Sequence, residues 1–268
     1  MKKSICKKVI PVVMAVFSII IFVGCNSKTT QKTKYYDEQY IKTLAISLDD
    51  RWEYSESKSA KDADLLDSLT KALTIEYDGL KKGNFSEKKF KNSKLKELAL
   101  SYNNELKNGI EILKKATKSS LYESDGKWAI HYNNRTKLLS EINEVKGIPV
   151  KNKTIFKELI NNGSEVKENK ELEDKIETNL SKIVFSEKPK EYESSYKDYE
   201  AVVINETGTN FKSFSAKIYL EDESGTRVDT EYIYLNDWAT NQKVTVDFST
   251  DKVFSTLKIV KDYFTVEK

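Results

Sequence analysis

From residue 35 to about residue 182, apolar side chains recur every three or four positions, the repeat of helices with one buried face. Tyr36, Tyr40, Leu44, Leu48 and Trp52 step by four, and Ile41 and Ala45 widen the stripe. A second stripe, Leu65, Leu66, Leu69, Leu73, Tyr77 and Leu80, follows a cap expected at Asp62 and stops at Gly83-Asn84. Leu95, Leu98, Tyr102, Leu106, Ile110 and Leu113 make a third helix that begins after Asn92 or Ser93. Trp128, Tyr132, Arg135, Leu139 and Ile142 share a face of a fourth, bounded by Gly126 and by Gly147 and Pro149. A fifth, with a cap expected at Thr154, carries Phe156, Leu159 and Ile160 and then Leu172, Ile176 and Leu180; Asn161-Asn162-Gly163 leaves open whether it is one helix or two. Short polar connections between these segments predict an antiparallel bundle or helical hairpins.

Past a Lys-, Glu- and Ser-rich stretch around Pro189 the period changes to two. Val202 and Ile204 alternate with Val203. Phe214, Ala216, Ile218 and Leu220 alternate with Ser215, Lys217, Tyr219 and Glu221, and Val244, Val246 and Phe248 with Thr245 and Asp247. Turn residues separate the runs at Thr207-Gly208, Glu223-Ser224-Gly225 and Asn236-Asp237. Five to seven short strands in so short a segment predict a small antiparallel β-sandwich. The expected fold is therefore α+β in two domains: an all-α bundle over 35–182, a linker over 183–197 and a β-sandwich over 198–268.

The first 25 residues follow a different rule. Lys2, Lys3, Lys7 and Lys8 precede an uncharged run from Val9 to Val23, shorter than the roughly 20 apolar residues of a spanning helix. The run ends in Phe22-Val23-Gly24-Cys25, which resembles the bacterial lipobox. Gly24 offers no side chain to obstruct a signal peptidase, and the Cys25 thiol is the nucleophile that takes a thioether-linked diacylglyceryl group. The expectation is a signal peptide over 1–24, cleavage between Gly24 and Cys25, lipidation of Cys25 and a polar tether over 25–34. Two acyl chains at about 0.8 kcal/mol per buried methylene make a durable anchor. Such processing removes Cys6 and leaves one alkylated cysteine, so neither a disulfide nor thiol chemistry is expected.

Charge and composition then remove function classes. The four signal lysines subtracted from 45 basic groups leave 41 against 42 acidic ones, and nucleic-acid binding gains nothing from that balance. With 9 Gly, 3 Pro and 2 Cys the chain is neither a repetitive fibre nor a disulfide scaffold.

Several residues of the β-rich segment carry a family resemblance. Val203-Ile204-Asn205-Glu206-Thr207, then Ile218-Tyr219-Leu220-Glu221-Asp222 leading into Ser224-Gly225, then Leu235, Asn241-Gln242 and Val246-Asp247-Phe248 resemble the FxLYD-type domain of extracytoplasmic bacterial proteins. Trp238-Ala239 stands where that family commonly has Pro-Gly. The resemblance covers 199–264 and implies an immunoglobulin-like sandwich, a surface location and no enzymatic activity. Arg51-Trp52 and the stretch from Phe90 to Leu95 are similar to the membrane-distal regions of small Gram-positive lipoproteins.

Catalytic chemistry finds little to work with. His131 is the one histidine, expected on a helix surface or at the bundle edge; one histidine makes no usual zinc set, and the glycines never cluster into a phosphate loop, so no cofactor and no metal are expected. Asp49-Asp50 and Glu221-Asp222-Glu223 are the densest acids and read as solvated faces. Trp128, Tyr132 and Arg135, with Arg51-Trp52, suggest an aromatic and guanidinium pocket, or plain packing around one ion pair to Asp49 or Asp50. In the β-rich segment Tyr219, Tyr232, Tyr234 and Trp238 are the candidates for ligand contact, because Tyr219 alternates away from Ile218 and Leu220. The expected function is a non-enzymatic, lipid-anchored protein on the extracytoplasmic face of the cell membrane that binds an envelope protein or a cell-wall partner. The alternatives are a transporter's solute-binding lipoprotein and, third, an envelope hydrolase using carboxylates.

Overall fold

The computed structural model describes residues 33–190 and 194–267. The chain divides into two units, Met1–Lys34 and Tyr35–Lys268, and the fold belongs to the second. Six α-helices come first: α1 (Asp37–Glu56), α2 (Lys58–Asp62), α3 (Leu65–Lys81), α4 (Ser93–Leu113), α5 (Lys127–Val145) and α6 (Lys153–Leu180). Two three-stranded antiparallel sheets follow, ordered β1-β2-β5 and β4-β3-β6, from β1 (Ser186–Lys188), β2 (Lys197–Ile204), β3 (Phe211–Glu221), β4 (Arg227–Trp238), β5 (Lys243–Thr250) and β6 (Thr256–Val266). The architecture is thus mixed, with helices and strands segregated along the chain.

The long helices pack in chain order, α1 on α3, α3 on α4, α4 on α5 and α5 on α6. Their stripes meet in one core that includes Tyr40, Leu44, Leu48, Leu73, Leu80, Leu95, Tyr102, Leu106, Leu139 and Ile142. Two of the caps fall close to the expected positions but not on them. Asp64, rather than Asp62, accepts from the Leu66 N–H at 3.0 Å to start α3, because Ser57 has already capped the short α2 that ends at Asp62. Asn92 caps α4 as expected, accepting from Leu95 N–H at 3.0 Å. Asn152 caps α6 through Ile155 N–H at 3.2 Å, and Thr154 lies inside the helix.

Helix α6 runs unbroken through Gly163. Its glycine answers a packing need: a Cβ there would lie 2.1 Å from the carbonyl oxygen of Thr136 on α5. The helix also belongs to two cores. Ile155, Phe156, Leu159 and Ile160 border the helical core, whereas Leu172, Ile176 and Leu180 join the core of the sheets. That second core combines Ala201, Val203, Val246 and Phe248 of one sheet with Phe214, Ala216, Ile218, Leu220, Ile233 and Leu235 of the other. Asn179 fastens the helix end to the strand end, donating to the Ile204 carbonyl at 2.9 Å and accepting from Glu206 N–H at 2.7 Å.

Within the stretch 183–197, read from composition as a linker, the residues from Ile183 to Lys188 pack on or pair with the sheets. Ile183 and Phe185 pack on the second core, and Ser186–Lys188 pair with Glu200–Asp198 as an edge strand. Charged side chains are the usual dress of such an edge, and the same composition reads as a linker. The turn expected at Asn236-Asp237 is also displaced: β4 continues to Trp238, and Asn241, at φ 64°, reverses the chain in the 239–242 loop. Asn205 secures that loop by donating to the carbonyls of Thr209 at 2.8 Å and Trp238 at 3.0 Å. At the β3–β4 hairpin Asp222 Oδ1 accepts from the N–H groups of Ser224 and Thr226, both at 2.9 Å, around Gly225 at φ 80°.

Gly163→Ala tests the α5–α6 contact. Its methyl would meet backbone that cannot rotate away, so the substitution should destabilise the chain by about 1–3 kcal/mol in chemical denaturation, although alanine favours helix intrinsically.

Candidate binding face

Strand alternation gives the β4-β3-β6 sheet two unlike faces. Phe214, Ala216, Ile218 and Leu220 of the central strand β3 point into the core, which leaves Ser213, Ser215, Lys217 and Tyr219 on the other side. Registration then places their neighbours. Ser215 lies opposite both Tyr234 of β4 and Tyr263 of β6, Lys217 opposite Tyr232 and Val260, and Tyr219 opposite Thr230 and Lys258. Directly opposed residues of antiparallel strands share a face. The outer face therefore carries a row of Tyr234, Ser215 and Tyr263 across all three strands.

Three of these rings meet solvent: Tyr232 is 39% exposed, Tyr234 70% and Tyr263 57%. Tyr232 and Tyr234 stack with centroids 5.6 Å apart and planes 12° from parallel. The stack fixes one ring against the other and leaves most of Tyr234 open. Between the tyrosines lies a small charged floor. Asp262, the extra residue of β6 between Lys261 opposite Ala216 and Tyr263 opposite Ser215, continues the outer positions Lys258 and Val260, and its carboxylate meets Lys217 Nζ at 2.5 Å and accepts from Ser215 Oγ at 3.3 Å; the shift it causes turns Tyr263 to the same face. The bond to Lys217 holds the Asp262 carboxyl below its usual range, and the same bond raises the lysine. Both are ionised at neutral pH, one acceptor and one donor between two rings.

The opposite sheet offers no such surface. Its outward positions pair Asp198 with Ser249, Glu200 with Asp247 and Val202 with Thr245. Among the described residues no group of His, Cys, Asp and Glu could hold a metal ion.

The remaining candidates are distributed differently. Tyr219 is on the outer face, but the Arg227 guanidinium covers its ring at 3.4 Å from the centroid. Trp238 is only 2% exposed and packs on Phe211 and Phe214, with centroids 5.9 and 5.2 Å away. It is a core residue, because β4 extends past the turn that the sequence suggested. Trp128 is half-buried against the His131 ring at 5.1 Å, and Arg135 is buried. Trp128 and Arg135 do not line an open pocket. Gly24 and Cys25 lie outside the described residues.

Arg135 does form an ion pair, but its partner is Glu76 of α3 and neither Asp49 nor Asp50. Its Nη2 lies 2.8 and 3.0 Å from the two carboxylate oxygens, Arg51 Nη1 lies 2.6 Å from Oε2, and the Tyr102 hydroxyl donates to Oε1. Asp49 accepts instead from the Lys151 N–H at 3.0 Å. Burial pushes the Glu76 carboxyl up, but the guanidiniums of Arg135 and Arg51 and the hydrogen bonds outweigh it and hold the group below its ordinary value. The signal for Glu76 was present in the sequence: it sits three residues after Leu73 and four before Leu80, on the apolar stripe itself. Tyr263 is not placed by alternation, since the irregularity at Asp262 inverts its parity relative to Lys258 and Val260.

His131 is buried rather than on the bundle surface, with Nδ1 2.7 Å from Glu105 Oε1. Gly109 makes room for it, as a Cβ there would lie 2.3 Å from the ring. The ring is thus held by one carboxylate and closed in by Trp128 and Gly109.

Glu76→Gln keeps the shape and removes the charge that two guanidiniums share, so it should cost about 3–5 kcal/mol in urea unfolding. In the parent chain the folded carboxyl titrates lower than the unfolded one. Its contribution is present above the ordinary value near 4.5 and is lost as pH falls through the lower folded value, and this acid-induced loss should disappear in the variant. Trp238→Ala should cost about 3–5 kcal/mol and Tyr234→Ala under about 0.5 kcal/mol, read as shifts of the denaturation midpoint that separate core from face. Comparison with protein-family models, with curated proteins and with solved structures finds no match to this chain.

Proposed function

We propose that the chain is a non-enzymatic binding protein of a bacterial cell envelope, lipid-anchored through Cys25 on the extracytoplasmic side of the membrane. In this reading the two sheets pack as a small immunoglobulin-like sandwich of the FxLYD type, forming a domain distinct from the helical bundle, and the tyrosine face contacts the partner. The observation that carries the binding role is the exposure of Tyr232, Tyr234 and Tyr263 on one sheet face whose reverse is fully committed to the core. Amphipathic rings give large contact area with little side-chain entropy to lose, and singly scattered exposed tyrosines would not build such a row. The anchor rests on the order of lysines, apolar run, Gly24 and Cys25. No helix among the described residues is long and apolar enough to cross a membrane.

Two measurements in cells test the two halves of the reading. Labelled palmitate should enter the parent chain and not a Cys25→Ser variant, which should leave the membrane fraction; equal retention of both chains sinks the anchor. A photoreactive phenylalanine analogue placed at Tyr234 should crosslink to one envelope component, whereas the same group at Val253, 90% exposed and away from the tyrosine row, should not. Equal patterns from the two positions sink the binding role.

A further inference from the structure

We infer that the tyrosine face binds a β-1,4-linked glycan strand, with sugar rings on Tyr234 and Tyr263 and hydroxyl contacts to Lys217 and Asp262 between them. This rests on the binding role proposed above and names its ligand.

Area decides first between a macromolecular partner and a small one. A tyrosine offers about 150–250 Å² of contact surface, so three rings at 39%, 70% and 57% exposure present on the order of 300 Å². A stable protein partner covers roughly 800 Å² on each side. The row is too small for such an interface, and apart from the half-buried Val260 the ground around it is polar: Ser215, Lys217 and Asp262 within the row, Thr230 and Lys258 beyond it. A ligand that matches it has apolar patches of ring size separated by hydroxyl groups. Sugar rings have that composition, since one face of a pyranose presents axial C–H bonds to an aromatic ring while the hydroxyls project around its edge.

Spacing selects the linkage. Tyr234 and Tyr263 stand in register on either side of Ser215, two strand spacings apart, which is roughly 9.5 Å between their backbones. In a β-1,4-linked chain successive rings turn over, so the same face returns at every second ring, a repeat close to that separation. Two tyrosines can then hold rings one and three of a strand laid across the sheet. The ring between them passes over the side chains that cover Ser215, which is 7% exposed, and beside the Lys217–Asp262 pair. There the ammonium donates to sugar oxygens and the carboxylate accepts from sugar hydroxyls. The pair is close to neutral as a unit, so it suits an uncharged polyol better than an anion. Tyr232 serves as a positioning residue, because its stack on Tyr234 holds that ring before the ligand arrives.

The test titrates the purified full-length chain with chitohexaose, a β-1,4-linked N-acetylglucosamine oligomer, and with the free monosaccharide, by calorimetry. The hexamer should bind and the monosaccharide should bind more than about tenfold more weakly, since the second tyrosine contact becomes intramolecular only in the oligomer. Tyr234→Ala and Tyr263→Ala should each weaken hexamer binding about threefold to tenfold, and the double variant should abolish it. Tyr234→Phe should stay within about twofold of the parent, because it keeps the ring that stacks. Tyr122→Ala, at a 79% exposed tyrosine of the helical part, should change nothing. All of these positions are exposed, and unchanged thermal unfolding confirms that each variant folds. Absence of hexamer binding at millimolar concentration, or hexamer binding that the double variant retains, overturns the inference. A protein crosslinked at Tyr234 together with no glycan binding overturns the inference alone and leaves the binding role standing.

Discussion

Helix α6 serves two hydrophobic cores at once, and the placement of everything downstream follows from that. Its first turns close the helical bundle through Phe156, Leu159 and Ile160, and its last turns present Leu172, Ile176 and Leu180 to the sheets. A helix that is apolar toward different neighbours at its two ends cannot slide or rotate without exposing one set. The Asn179 amide then removes the remaining freedom at the helix end by bonding to backbone on both sides of the β2 terminus. Lys261 of β6 adds an ion pair to Glu173 at 2.5 Å from the same helix. Because helix and second sheet cover the inner side of β4-β3-β6, only its outer side faces solvent. The tyrosine face is a consequence of how α6 is shared.

Inside the bundle the corresponding constraint is electrostatic. Taking a carboxylate and two guanidiniums out of water costs several kcal/mol per ion, and the mutual attraction repays it only when geometry is close. Glu76 meets that condition, with both oxygens engaged by Arg135, a third contact from Arg51 and a fourth from Tyr102. Four helices, α1, α3, α4 and α5, supply one group each. A shift of any of them by one helical turn would strand a buried charge, so the cluster selects one register among the many that leucine stripes alone permit.

Periodicity revealed much of this architecture and failed where a local signal has two physical readings. The stripes from Tyr36 to Trp52 and from Leu95 to Leu113 became α1 and α4 because three- and four-residue spacing has no other use over that length. Asn161-Asn162-Gly163 reads equally well as a stop or as a close helix contact, and only the Thr136 carbonyl across the interface decides between them. Asp49 and Asp50 drew attention as neighbours in sequence, yet the acid that matters interrupts an apolar stripe, a pattern visible only when polar residues are placed on the helix as carefully as apolar ones. Trp238 reads as a loop aromatic when the turn is set at 236–237 instead of the 239–242 loop. Tyr232 and Tyr234 were legible from alternation with Ile233 and Leu235. Tyr263 was not, since one irregular residue in β6 inverts the parity of every position after it.

The outer row also has to survive on a sheet whose flanking strands, β4 and β6, each lack a partner on one side within it. Exposed aromatic residues on strands with open edges invite pairing with another copy, and charged side chains along those strands oppose it. Lys258, Lys261 and Asp262 on β6, with Asp229 and Glu231 on β4, supply that opposition, and the register shift at Asp262 breaks the regular ladder that an incoming strand would need. The guard sits at the edges and the rings stand on the face, so the two demands do not compete for the same atoms. Asp262 meets both: it is itself the extra residue that spoils the edge, and its carboxylate reaches Lys217 and becomes part of the floor between the tyrosines. A strand can thus remain unattractive to its own kind while keeping an aromatic row open to a ligand that approaches from above the sheet rather than along its rim.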